Sequence, residues 1–108
     1  MGYATLSMVK ERLGIPSDDT TKDTVLTNAI AYADGYIDSR LSEVDGSVPS
    51  PTPQIIKDAS ADIAAYYYIR NLEPDRANIY LENGKMLLES YIRQQYFKGV
   101  TVRTGQDT

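Results

Sequence analysis

Apolar residues spaced by three and four recur in four blocks along this chain, each bounded by residues that start or stop a helix. The first block runs from Leu6 to Leu13. Leu6, Val9 and Leu13 share one side, Thr5 stands where an N-cap belongs, and Gly14 supplies the C-terminal stop. So short a helix must lean on others. The second block follows "SDDTTKD", where Thr20 with Asp23 three residues on resembles a capping box with Asp in place of Glu. Its core stripe is Leu26, Ala29, Ile30, Ala33, Ile37 and Leu41, and it ends near Leu41. Asp34, Asp38 and Arg40 fall off that stripe and are expected in solvent. Gly35 inside the helix costs about 1 kcal/mol relative to alanine. Close approach of a neighbouring helix would explain it, and so would simple tolerance.

The third block is entered through Thr52 as N-cap and Pro53 in the first turn, and runs to about Asn71. The fourth starts at "EPDRAN", with Pro74 in the first turn and Asp75 favourable to the helix dipole, and reaches about Phe97 before Gly99. Within it, "ENGK" at Glu82 to Lys85 is a turn signal. The apolar phase nevertheless carries across it, through Ala77, Tyr80, Leu81, Gly84, Leu87, Leu88, Tyr91 and Ile92, and predicts one continuous helix. Between the second and third helices, "SEVDGSVPSPTP" from Ser42 to Pro53 reads as an extended loop. After Gly99, "VTVRTGQDT" alternates like a short strand that has no partner in a helical domain, so it is either disordered or paired outside the chain. The expected architecture is all-α: a small four-helix bundle of one short and three longer helices, an extended loop at 42–53 and an extended tail at 99–108, in one domain spanning 1–108.

The third helix carries the most unusual stretch, "DASADIAAYYYIRN". Successive helical side chains point about 100° apart, so one core cannot hold Tyr66, Tyr67 and Tyr68 together. Ile56, Ala59, Ile63, Tyr66 and Tyr67 form one stripe, Ala61, Ala65, Tyr68 and Leu72 a second, and only a wedge at Lys57, Asp58 and Asp62 is polar. A helix apolar nearly all round must be surrounded. The chain has nine tyrosines against one phenylalanine, a bias toward the aromatic that suits half-wet boundaries. One reading is ordinary core-edge residues; the sharper one is that Tyr68, Leu72, Tyr96, Phe97, Val100 and Val102, with Val48 and Pro51 of the loop, contact neighbouring subunits or partners.

Composition narrows the function classes. There is no cysteine and no histidine, which removes thiolate and imidazole chemistry and leaves carboxylate pairs, a lysine, or oxygen-ligated cations. The best carboxylate pairs, Asp18 with Asp19 and Asp34 with Asp38, read as charges at a helix start and as a solvated face. No phosphate-binding glycine loop and no EF-hand loop occurs. An enzyme is not expected, nor is a cofactor. Nor is there an apolar run long enough to span a membrane. The N-terminus lacks a signal-peptide pattern and has Leu6 where myristoylation wants Ser or Thr, so the protein is expected to be made in the cytoplasm.

A net charge of −4 argues against tight nucleic-acid binding. The basic residues Lys85, Arg93, Lys98 and Arg103 gather toward the C-terminus. They read first as a solvated face and otherwise as DNA-facing or partner-facing groups.

The order of "YATLSMVKERLGI", "LTNAIAYADGYIDSRL", a proline-bearing loop, "IIKDASADIAAYYYIRN", "IYLENGKMLLESYI" and a closing "YFKGVTV" resembles the small helical head-tail connector (head-completion or adaptor) proteins of tailed bacteriophages, over roughly Tyr3 to Gly99. That resemblance implies a homo-oligomeric ring, commonly twelve-fold, at the virion head-tail junction. It would sit below the portal, extend the DNA channel without sequence-specific binding, and dock a tail or stopper protein. Two other classes fit the composition: a cellular helical adaptor, monomer or dimer, docking a partner on its tyrosine face, and a small nucleic-acid binder using the four basic residues.

Overall fold

The computed structural model describes residues 2–96, and they form four helices: α1 (Leu6–Leu13), α2 (Asp23–Ser42), α3 (Gln54–Ile69) and α4 (Pro74–Tyr96). Among the described residues there is no strand. The tail beyond Tyr96, with Phe97, Lys98, Val100, Val102 and Arg103, lies outside the described residues.

Helix α3 is the centre, with α1, α2 and α4 laid around it. Every residue from Ala59 to Ala65 is buried, almost two full turns with no solvent side. This is the surround that its all-round apolar surface requires. The stripe expected on α2 is buried at all six positions. Leu26, Ile37 and Leu41 of α2 meet Ile56 and Ile63 of α3 and Leu88 and Ile92 of α4 in one core cluster or at its edge, all fully buried. Each contributes about 1.5–3 kcal/mol of hydrophobic stabilisation.

Helix α4 runs through Asn83 and Gly84 without a break. Packing decides this against the local turn propensity. Gly84 is buried against α3, and a Cβ there would lie 2.6 Å from Ile63 Cγ1, 3.1 Å from the Ala59 carbonyl oxygen and 3.3 Å from Asp62 Cβ. The glycine lets the two helices approach closely.

The helix ends agree with the sequence for α1 and for the start of α4 at Pro74, and differ for α2 and α3. Thr5 accepts the Met8 N–H through Oγ1 at 3.2 Å, and Gly14 closes the helix at φ 74°. Replacing Thr5 by alanine should therefore cost about 1 kcal/mol in chemical denaturation; an unchanged midpoint would mean that the cap contributes nothing.

For α2 the expected capping box is not formed. Lys22 is the N-cap and gives no side-chain bond. Asp23 instead turns to Lys10 of α1, with Nζ 2.8 Å from its Oδ1. That oxygen has no aligned hydrogen bond, so the contact is one of charge. Thr21 takes over the turn, donating its N–H and hydroxyl to Asp19. Helix α3 begins one residue later than expected, with Pro53 rather than Thr52 at the N-cap, and stops at Ile69 rather than Asn71.

Polar groups expected in solvent also do internal work. Asp34 accepts the Ser60 hydroxyl at 2.7 Å and the Tyr3 N–H at 2.9 Å, tying α2 to α3 and to the N-terminal arm. Burial pushes its carboxyl above the usual range, against those two hydrogen bonds. Asp38 stays exposed but accepts the Tyr3 hydroxyl. Arg40 is half-buried and grips Glu89 of α4 with two bonds of 2.7 and 2.8 Å. Gly35 has no atom within 4 Å of a Cβ position, so no helix of this subunit approaches it.

Candidate subunit and partner interface

Of the three consecutive tyrosines, two are taken up by each other and by two residues that the sequence had not marked, and the third by the core. Tyr66 and Tyr67 meet edge-on with ring centres 5.1 Å apart, and Tyr67 lies 5.6 Å from Tyr32 of α2. The Arg70 guanidinium stands 5.2 Å from the Tyr67 ring centre and 5.9 Å from that of Tyr66. Cation and ring quadrupole attract in that geometry. All three tyrosines end half-buried. Tyr68 packs against the core and lines a groove with Val25, Asn28, Tyr32, Tyr67 and Arg70, between the start of α2 and the end of α3. Val25, Tyr32 and Leu72 are exposed at this end of the molecule, Leu72 by 71%.

The other candidates from the sequence are scattered. Tyr96 is half-buried at the opposite end of α4, where its hydroxyl donates to the Ser47 carbonyl at 3.3 Å and its ring meets Tyr91 edge-on at 6.4 Å. Its ring is used to fasten the loop after α2 to the end of α4. Val48 packs against the core from that loop, and Pro51 is exposed, after a cis peptide bond. Lys85 and Arg93 are exposed on α4. The structure thus brings Tyr68 and Leu72 to one end and Tyr96 and Val48 to the other, rather than gathering them in one patch.

Besides Val25 and Tyr32, two large apolar residues on α4 escaped the sequence reading: Ile79 and Met86, 62% and 61% exposed on its outer side. They sit seven residues apart and off the core phase of Ala77, Gly84 and Leu88, so a second line at heptad spacing was the signal that could have found them.

Among the described residues no three His, Cys, Asp or Glu side chains converge as a metal site would need. Asp34 and Asp62, the acids that burial pushes upward, are held by Ser60 and Arg12 respectively, as structural partners. Among the described residues no helix is long and apolar enough to cross a membrane.

Compared with known proteins, the chain matches no curated protein and no solved structure. It does match a family model, described as Bacteriophage Mu, Gp36, over residues 1–97. That match takes in all four helices, from the N-terminal arm bonded to Asp34 through the last turn of α4. By this measure the chain belongs to the bacteriophage Mu Gp36 family.

Proposed function

We propose that the protein is a structural, non-enzymatic component of the phage virion. It assembles as a ring at the head-tail junction below the portal, extends the DNA channel and offers a docking surface to a tail or stopper protein. The observation that carries this reading is the family match across the four helices. The surface supports it. Helices α2 and α4 and the turn after α3 expose Val25, Tyr32, Leu72, Ile79 and Met86. Ring copies meet through two different patches, one on each side of the subunit, and exposed apolar groups on both α2 and α4 suit that requirement. A net charge of −4 suits a conduit past which DNA slides without sticking.

The test is molar mass by light scattering over a concentration series, with electron micrographs of any large species. A closed ring with a central hole is expected, either for the protein alone or once the portal protein of the phage is added. A monomer at every concentration that a portal does not capture would overturn the ring. A dimer closing on the groove between Tyr32 and Tyr68 would support the adaptor reading instead.

A further inference from the structure

Two helix faces are turned away from the core. On α4, Ile79, Met86 and Arg93 follow one another at seven-residue spacing, directly opposite the buried line of Ala77, Gly84 and Tyr91. On α2, the positions opposite the buried Leu26, Ala33 and Ile37 are Asn28, Ala31, Gly35 and Ser42, all exposed and none aromatic or long, with the exposed Tyr32 flanking them on the side of the groove. Gly35 is the informative member. A side chain there would meet nothing within 4 Å, so the subunit itself has no use for a glycine at a position where glycine weakens the helix.

The two faces match in height. Helices α2 and α4 both run antiparallel to α3 and hence parallel to each other, since Tyr32 meets Tyr67 while Asp34 meets Ser60, and Ala77 lies near Tyr66 while Gly84 lies near Ala59. Arg40 bonds Glu89, 49 positions on, which sets the level of one helix against the other. On that scale Ile79 stands level with Asn28 to Ile30, Met86 with Gly35 to Ile37, and Arg93 with Glu43 to Val44.

The charges match as well. Along its outer side α4 runs from acidic Asp75 and Glu82 to basic Lys85 and Arg93, while α2 runs from basic Lys22 to acidic Asp38 and to Glu43, which Arg40 of the same subunit already holds at 3.1 Å. At equal height the signs oppose at both ends. Among the described residues none of Lys22, Asp38, Asp75, Glu82, Lys85 and Arg93 is in an ion pair.

We propose that a second copy of this chain covers these faces: α4 of one subunit seats Ile79 and Met86 on the Asn28–Gly35 face of α2 in the next, with the helices running along the ring axis so that residues of equal height meet. The small α2 face lets the two backbones approach, the two α4 side chains fill the space left at Ala31 and Gly35, and Arg93 meets Glu43 at the edge. The contact joins two different patches, so it passes from copy to copy and needs closure into a ring. It rests on the ring reading above, and it names the surfaces that make the ring.

The chain has no cysteine, so introduced thiols report without background. With Gly35→Cys and Met86→Cys on one chain, mild oxidation under ring-forming conditions should give a ladder of covalent multimers on a non-reducing gel. A mixture of the two single variants should stop at dimers, and neither single variant should cross-link by itself. Gly35→Leu should abolish the large species in light scattering while its thermal midpoint stays at or above that of the unaltered protein, because leucine favours the helix and has free space. Rings in the micrographs with no ladder would overturn the proposed contact and leave the ring reading standing. Dimers from Met86→Cys alone would overturn it in favour of a self-complementary α4 face. Neither ring nor ladder, with the portal present, would remove both readings.

Discussion

Gly84→Leu is expected to lower the unfolding free energy by about 3 kcal/mol or more, the upper end of the cost of overfilling a well-packed core. The reason is the approach of α4 to α3. A Cβ alone would stand 2.6 Å from Ile63 Cγ1 and 3.1 Å from the Ala59 carbonyl oxygen. Neither is the free end of a flexible chain: Ile63 is fully buried and branched at Cβ, and the carbonyl belongs to the backbone of α3. Helices α3 and α4 would have to separate, and with them Leu88 and Ile92 would lose part of their packing.

Gly84→Ala separates packing from helix propensity. Alanine gains about 1 kcal/mol in a helix interior, against about 1–3 kcal/mol for the crowding. A net loss of about 1 kcal/mol is expected, read as a lower denaturation midpoint, with the leucine variant lower again. For a domain near this size each kcal/mol moves the thermal midpoint by about 4–8 °C. A midpoint for Gly84→Ala above that of the unaltered protein would mean that the close approach is not a constraint. The same substitution at Gly35 serves as a control, because there the added carbon meets no atom and only the propensity gain remains.

These two glycines show what a linear pattern conveys. The all-α class, four helices, the six buried stripe positions of α2 and the continuity of α4 through Asn83 and Gly84 all follow from apolar spacing, because burial of a helix face imposes a period of 3.6 on the sequence itself. The surrounded α3 follows in the same way from its lack of a polar side. Spacing does not say which helix a polar residue answers to. Asp34 and Arg40 stand off the stripe of α2 and read as solvent, yet their partners Ser60 and Glu89 lie 26 and 49 positions away. Asp23 likewise leaves its expected cap for Lys10, because a buried ammonium group needs a counter-charge. On the surface, Leu72 was legible as a surplus apolar group, whereas Tyr68, read in the same way, is half-buried and packs against the core. Tyr96 was legible only as an aromatic, and its bond to Ser47 turns it inward. Ile79 and Met86 were in plain view at seven-residue spacing, but a search for core phase passes over a line that runs opposite the core.

The second large effect is expected at Arg12, whose side chain fastens α1 to α3. Its Nε lies 2.7 Å from Asp62 Oδ1, and Nη2 lies 3.2 Å from Asp58 Oδ1. Its carbonyl oxygen, which accepts from Arg76 at 3.3 Å and from the Tyr80 hydroxyl, binds α4 and does not depend on the side chain. The Asp62 side chain is only 12% exposed. Arg12→Met therefore removes the counter-charge of a largely buried carboxylate, at a cost of about 3 kcal/mol, the lower end for a broken buried pair because the Arg12 side chain itself is 23% exposed.

The loss should depend on pH in a fixed direction. Burial already pushes the Asp62 carboxyl above its usual range, against the hydrogen bond and charge of Arg12, and removing Arg12 pushes it higher. An acid whose folded pKa lies above its unfolded value of about 3.9 gives its stabilisation in full below that value and loses it as pH rises through the folded pKa. The deficit of Arg12→Met should accordingly be small near pH 4 and reach its full size by pH 7, measured by urea denaturation at both. Asp62→Asn in the same chain removes the buried charge, so the double variant should recover most of the stability and flatten the pH dependence; such coupling is what a double-mutant cycle isolates. A deficit equal at both pH values and untouched by Asp62→Asn would show that Arg12 holds α1 through the packing of its aliphatic stem, and that the charge pair between α1 and α3 adds nothing.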